Sequence, residues 1–282
     1  MGHHALQRVV VRMIYDPVFA RSVSADARRA LKDVSLSEAE VSWLKEVDPR
    51  AFATDVHRVD RTLKAMIDEY PRSTAIIFRR DTNLQGLAAF FSEREFHEAI
   101  QNRDSLVLAF GRYLLRYAGT TETDLISVAA LERMLARTRR VPSDKVVSKG
   151  DYTLSASVAL HPAPYGTLGV FIELGRRLAQ VSSDFAAAAL SGKVGIQGLA
   201  NLSSPKIEYI MGLRDPSALA GVSLEHCPEA LYALLAKAER GCSREELVDI
   251  VVREDGTPED ALEIIRGLLD DGILFMRDRE GA

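Results

Sequence analysis

The sequence contains only two cysteines, Cys227 and Cys242, and it has few of the features that mark secreted or membrane proteins. Residues 1–15 lack the apolar core and the small-residue cleavage site of a secretory signal. No apolar run approaches the roughly 20 residues that a membrane-spanning helix needs. We therefore predict a cytoplasmic protein without a membrane partner, in which both cysteines are small buried thiols rather than a disulfide.

The residue patterns of common catalytic and cofactor sites are also missing. No Ser/His/Asp, Cys/His or paired-carboxylate constellation stands out. His226 beside Cys227 lacks the further ligands of a metal site, and the glycine-rich segment 192–198 has neither Walker nor dinucleotide-loop spacing. His57 and His97 lie singly in predicted helices, without an acidic partner at helical spacing that makes a metal site or an acid–base pair convincing, so we expect ordinary surface or core histidines with satisfied rings. The sequence predicts a non-catalytic protein that binds no metal itself.

Helical spacing of apolar residues dominates the first half of the chain. One stripe covers residues 6–14 and ends at Asp16-Pro17. Ser37 followed by Glu40 opens another helix, and residues 48–67 predict a longer helix that begins at Asp48-Pro49. Because the predicted connections are short, we expect an antiparallel helical bundle over residues 1–141.

The pattern changes after a polar segment at residues 142–150, which predicts a domain boundary. Residues 152–160 alternate as in a half-buried strand that ends at His161-Pro162, and we interpret the apolar run 168–174 as a second strand. Residues 151–282 are therefore predicted to form a second domain, in which a small sheet precedes a group of C-terminal helices.

Residues 228–278 have the pattern of three helices and a short strand. The first helix stops at Gly241, and Ser243 with Glu246 forms a capping-box pair at the start of the second. Thr257 caps the third helix, with Pro258 at its first position. The apolar run 273–276 follows as a largely buried strand. The predicted fold class is α+β and mostly α, with a helical bundle, a small sheet and a winged-helix-like end.

A winged-helix-like unit usually suggests DNA binding, but the charge here has the wrong sign. Between residues 228 and 282, seven Lys and Arg stand against fourteen Asp and Glu, in a chain whose net charge is −4. Helices that read DNA gain affinity by neutralising phosphates. On the third helix Arg266 stands alone against four acids, Glu259, Asp260, Glu263 and Asp270. We therefore expect no nucleic-acid partner.

The C-terminal pattern resembles the peptide-binding modules of ribosomal-peptide maturation called RiPP recognition elements, which are related to the peptide chaperone of the PQQ pathway. The resemblance is carried by Gly241, by residues 243–247 (SREEL) and by residues 268–274 (LLDDGIL). A plain interaction or capping domain is the alternative interpretation, since any small helix-turn-helix core can imitate this pattern.

An edge strand beside a helix would offer such a module a docking slot, because an extended peptide can pair its backbone with the strand. The predicted peptide-binding residues are Leu262, Ile265, Arg266 and Leu269 on the last helix, with Val170 and Ile172 on a strand. A charged residue in place of Ile265 is accordingly expected to weaken peptide binding.

Residues 36–52 (LSEAEVSWLKEVDPRAF), the helical first half and the C-terminal unit together resemble the small partner subunit of multinuclear iron oxidases with a TIM-barrel fold, found in the methanobactin and 3-thiaglutamate pathways. The resemblance implies a non-catalytic accessory subunit that binds a small scaffold peptide and forms a heterodimer with the oxidase. In the resembling pathway the oxidase excises a carbon from the peptide's C-terminal cysteine. The iron ligands belong to the oxidase, so no cofactor is expected on this chain.

Two other classes stay open at this point. A transcriptional regulator would place the C-terminal unit on DNA and use the helical half to sense a ligand. An enzyme with an unfamiliar site is the other, because the absence of known motifs does not exclude it. The salt dependence of binding distinguishes a transcriptional regulator from a peptide binder, since DNA binding weakens steeply as the salt concentration rises.

Overall fold

The computed structural model describes the chain except for residues 1–3, 54, 56, 81–84, 121, 141–150, 182–183, 191–201, 203, 215–220 and 277–282. The fold is α+β and mostly helical, with small antiparallel sheets, as the sequence predicted. The chain divides into two compact units, Met1–Ala129 with Arg176–Gly198 and Ala130–Gly175 with Leu199–Ala282. The predicted boundary at residues 142–150 lies outside the described residues, and residues 176–198 belong to the first unit although the sequence placed them in the second domain.

The helices and strands follow one another with short connections. The helices are α1 His4–Tyr15, α2 Pro17–Ala25, α3 Ala27–Ala30, α4 Glu38–Glu46, α5 Arg58–Glu69, α6 Pro71–Arg80, α7 Gln85–Ala88, α8 Arg94–Asn102, α9 Leu106–Ala118, α10 Thr123–Arg140, α11 Thr167–Val181, α12 Phe185–Leu190, α13 Glu229–Glu239, α14 Arg244–Arg253 and α15 Pro258–Asp270. Short 3-10 helices cover Pro49–Ala53 and Ala89–Ser92. The strands are β1 Tyr152–Leu154, β2 Val158–Pro164, β3 Ile207–Arg214, β4 Val222–Cys227 and β5 Leu274–Met276.

Local capping signals fix the helix starts of the first unit. Asp16 accepts the N–H groups of Val18 and Phe19 at the start of α2, and Ser37 with Glu40 forms the predicted capping box of α4. The predicted single helix over residues 48–67 is wrong, because a 3-10 helix and α5 replace it. Asp55 accepts the backbone N–H of His57, which offers the chain a local alternative to a continuous helix.

An aromatic cluster fills the interior of the first unit. Its rings are Tyr15, Tyr70, Phe90, Phe91, Phe96, Phe110 and Tyr113, which contact one another at centroid distances of 5.0 to 6.1 Å. Most pairs meet edge to face or tilted, as the ring quadrupole favours. The Tyr70 hydroxyl donates to the Val107 carbonyl at 2.9 Å, so this buried ring keeps a partner for its polar atom.

The second unit contains two small antiparallel sheets and one shared apolar core. β2, β3 and β4 form a sheet in that order, and β1 pairs with β5 in the other. Side chains from β1, β3, β5 and all three helices α13 to α15 are buried in the same cluster. Cys227 and Cys242 lie buried in this core as free thiols, in agreement with the sequence-based prediction.

The predicted strand over residues 152–160 is in fact two strands in different sheets. The Ser155 hydroxyl accepts the Ser157 N–H at 3.2 Å, and the Val158 N–H donates to the Ser155 carbonyl at 3.0 Å. This serine turn competes with the ladder and redirects the chain between β1 and β2. β2 then continues past the expected end at His161-Pro162 to Pro164.

The predicted strand over residues 168–174 is wrong, because these residues belong to helix α11. Its buried residues Phe171, Leu174 and Leu178 recur at helical spacing, a signal that the short apolar run obscured. The buried Glu208 on β3 accepts the Leu168 N–H at 2.8 Å, so a carboxylate distant in sequence holds the first turn of the helix. Strands β3 and β4 were not identified from the sequence as separate strands.

His97 is buried on α8, and neither of its ring nitrogens has a hydrogen-bond partner among the residues that the structure describes. The expectation of a satisfied ring is therefore wrong for this histidine. Burial, followed by the nearby positive charges of Arg12 and Arg8, lowers the pKa of His97 to about 4. The ring is consequently neutral at pH 7, and protonating it would place an unpaired charge in the helical unit.

The free energy of unfolding of the first unit is expected to fall between pH 6.5 and pH 4. The folded state holds the pKa of His97 below its unfolded value, so the unfolded chain binds the proton first as pH decreases. The expected loss from this group is about 3 kcal/mol. Urea titrations followed by the fluorescence of Trp43, the only tryptophan, measure it. His97→Leu should make the free energy of unfolding less dependent on pH, whereas the control His57→Leu, at an exposed site, should not. If the unmodified protein and both variants show the same dependence on pH, the lowered pKa of His97 is contradicted.

Candidate functional site: the outer edge of strand β5

Strand β1 is hydrogen-bonded on both sides, and this leaves β5 at the edge. Tyr152 and Cys242 exchange backbone hydrogen bonds at 2.9 and 3.1 Å, so the polar groups of Tyr152 point away from β5. Opposite residues in an antiparallel pair alternate between bonded and non-bonded. Tyr152 and Met276 are therefore a non-bonded pair, whereas Thr153 and Phe275 are a bonded pair.

The same alternation identifies the backbone groups that β5 turns outward. The Ser155 N–H donates to the Ile273 carbonyl at 2.8 Å, which agrees with inward-pointing groups at residues 273 and 275. The N–H and C=O groups of Leu274 and Met276 consequently point to the other side of β5. No other strand in the described part of the chain pairs with that side. Two residues thus offer donors and acceptors to an added strand.

The three side chains of β5 differ in burial. Leu274 is buried in the core of the second unit, whereas the side chains of Phe275 and Met276 are 41% and 56% exposed. The prediction of a largely buried strand is therefore wrong at these positions. An uninterrupted apolar run does not reveal which of its side chains face solvent, so this exposure could not be predicted from the sequence.

A pocket of about 530 Å³ lies next to β5 in the second unit. Its lining residues come from the serine turn, the end of β3 and the start of β5, and they are Ser155, Ser157, Val158, Leu213, Arg214, Asp271, Gly272, Ile273 and Phe275. The Ser155 and Ser157 hydroxyls lie 2.6 Å apart and bond to each other. The pocket therefore combines an apolar wall with a few polar groups, and it is large enough for side chains of a bound ligand.

The predicted binding residues on α15 have three different environments. Ile265 is 3% exposed and lies in the core, Leu262 and Leu269 are partly buried, and Arg266 is exposed. Val170 and Ile172 lie on α11 rather than on a strand. Neither belongs to the apolar core into which α15 packs. The predicted slot between these six residues is therefore replaced as the candidate site by the outer edge of β5.

Acidic side chains dominate the surroundings of this edge. From Pro228 to Met276, all of which the structure describes, five Lys and Arg stand against twelve Asp and Glu. One of the cations, Lys237, is paired with Glu246 at 2.6 Å. A polyanion such as DNA would therefore meet a net negative surface in this region.

The thiols and the other polar clusters of the described residues suggest no further chemistry at this edge. Burial raises the pKa of both Cys227 and Cys242 to about 11, so each thiol is neutral at pH 7 and a weak nucleophile. Within the described ranges, no three His, Cys, Asp or Glu side chains approach closely enough to hold a metal ion. None of the helices described there has the length and apolar character to cross a membrane.

The chain matches no protein-family model, and no curated protein matches it either. The geometry of the β5 edge and the resemblance in the sequence patterns are therefore what bears on the function of this chain.

Two adjacent isoleucines of α15 allow a direct test of which residues are core. Ile265→Asp is expected to unfold the second unit, because it buries an unpaired charge at a cost of about 3 kcal/mol or more. Ile264, which is 41% exposed, is the matched control, and Ile264→Asp should change stability by less than about 1 kcal/mol. Urea unfolding followed by circular dichroism compares them. Equal stabilities of the two variants would contradict the burial of Ile265. Because Ile265 is buried in the core, a charged residue there would unfold the protein, so this position cannot be used to test peptide binding.

Proposed function

We propose that this protein binds a peptide as an added strand on β5 and does so as a non-catalytic accessory subunit. The observation that carries the proposal is the outward direction of the Leu274 and Met276 backbone groups at an edge without a described partner. In this proposal β1, α13 to α15 and β5 act as a winged-helix-like unit. Natural proteins usually cover or charge such edges, so an open apolar edge is typical of an interaction site.

Backbone pairing and side-chain pockets would have separate roles in peptide recognition. The outward groups of β5 would hold the peptide in an extended conformation regardless of its sequence. Exposed Phe275 and the pocket that it lines would then select apolar side chains. Since this binding depends on hydrogen bonds and apolar contact, it should tolerate salt.

The resemblance of the sequence patterns supports a specific setting for this peptide binding. In that setting the ligand is a small ribosomally made scaffold peptide, and this chain forms a cytoplasmic heterodimer with a TIM-barrel multinuclear iron oxidase. The oxidase would hold the iron and excise a carbon from the peptide's C-terminal cysteine. This chain would present the peptide and supply no catalytic group.

A winged-helix transcriptional regulator is the alternative from another class. The acidic surface argues against it, because α15 carries Arg266 alone against Glu259, Asp260, Glu263 and Asp270. Binding measured between about 50 and 200 mM salt separates the two classes. A DNA complex that depends on phosphate contacts should weaken by orders of magnitude over this range, whereas peptide binding on β5 should stay nearly constant.

Co-expression tests whether this chain forms a complex with an iron oxidase. We expect this chain to elute with the candidate iron oxidase encoded next to its gene, as a mixed complex whose mass by light scattering fits one copy of each and whose peak contains iron. Separate elution of the two chains would contradict the accessory-subunit proposal.

Met276→Pro is expected to weaken binding of the proposed scaffold peptide by about tenfold or more, because it removes an outward N–H and obstructs the edge. It leaves the β1 pairing intact, since the bonded residue there is Phe275. Phe275→Ser should also weaken binding by removing the apolar wall of the pocket. Titration calorimetry with each variant measures the affinity.

Val252→Ser is the matched control for Phe275→Ser, because Val252 on α14 is exposed to a similar extent, 43% against 41%. The control should bind the peptide like the unmodified protein. Unchanged affinity in both β5 variants, with circular dichroism showing that they are folded, would place the peptide elsewhere.

A further inference from the structure

A second pocket, of about 300 Å³, lies in the first unit, far from β5 in the sequence. It is formed by α1, the first turns of α2 and the 3-10 helix Pro49–Ala53. Met13, Ala20 and Phe52 line it together with the two prolines Pro17 and Pro49. Met13 and Ala20 belong to the apolar core of these N-terminal helices, so the pocket is an opening into that core.

The wall of this pocket provides few hydrogen-bonding groups for a polar ligand. Pro17 and Pro49 have no backbone N–H, and Pro17 stands at the first position of α2, where that missing donor costs no hydrogen bond. The small side chain of Ala20 leaves space that a larger residue would fill. The volume is at the lower end of the range for small-molecule sites, which fits a compact ligand rather than a folded partner.

Two arginines, Arg21 and Arg50, complete the lining. The carboxylates that precede them in the sequence, Asp16 and Asp48, accept hydrogen bonds from backbone N–H groups. Asp16 accepts the N–H groups of Val18 and Phe19, and Asp48 accepts the Arg50 N–H at 2.8 Å. Neither guanidinium is in an ion pair with a carboxylate of the described residues. The pocket therefore combines an apolar wall with two cations and no anion.

We propose that this pocket binds a small monocarboxylate with a compact apolar body, at a site separate from the proposed peptide edge. The apolar body would displace water from Met13, Ala20 and Phe52, and the arginines would bind the carboxylate through charge-assisted hydrogen bonds. A single delocalised negative charge suits this pocket better than a phosphate, because the apolar wall provides no further donors for a more highly charged group. A medium-chain fatty acid is the simplest molecule of this class.

Calorimetric titration of the full chain with octanoate tests the proposal, with octanamide and acetate as comparison ligands. Octanoate should bind, octanamide should bind about tenfold more weakly because it lacks the charge, and acetate should bind more weakly still because it lacks the body. Equal affinity for octanoate and octanamide would overturn the role of the arginines. No detectable octanoate binding at millimolar concentration would overturn the site.

Arginine variants locate the binding in the protein. R21Q and R50Q should each reduce the affinity for octanoate about tenfold, whereas R29Q, which changes an exposed arginine of α3 outside the lining, should not. Ala20→Met should fill the pocket and abolish binding. If Ala20→Met does not fold, the comparison of R21Q and R50Q with R29Q decides alone. Equal effects of all three arginine variants would show general attraction of anions and contradict the proposed site.

Discussion

The architecture of the second unit depends on one short strand that is hydrogen-bonded on both sides. β1 consists of Tyr152–Leu154, yet it bonds to Cys242 on one side and to β5 on the other. Its side chains Tyr152 and Leu154 are buried in the same core as α13, α14 and α15. Because β1 is the central strand of this group, β5 is necessarily the outer one. The open edge and its outward backbone groups both follow from that order.

The features that could be predicted from the sequence are those that neighbouring residues determine. The capping boxes at Ser37 and Ser243 are present, and Thr257 and Pro258 begin α15 as expected. At Thr257 the cap is also a full capping box, with Asp260 in the role usually held by Glu or Gln. Such signals act over three or four residues, so a linear sequence contains all of the necessary information.

The features that the sequence did not reveal depend on residues that are distant along the chain. Nothing near residues 167 and 168 indicates that Glu208 will accept the Leu168 N–H and hold the start of α11. The outward direction of the Met276 backbone groups depends on the other partner of β1, which is Cys242. The predicted site residue Ile265 looked suitable because its spacing fits a helix face, but spacing does not distinguish the face that packs into the core from the face beside it.

Amide hydrogen exchange along β5, measured by NMR, tests the central claim of an open edge most directly. In the free protein the Phe275 N–H should exchange slowly, because it is bonded to β1, while the Leu274 and Met276 N–H groups should exchange fast. Binding of the scaffold peptide should then slow exchange at Leu274 and Met276 and leave Phe275 unchanged. Slow exchange at Met276 in the free protein, or no change at either outward group in the complex, would contradict the account.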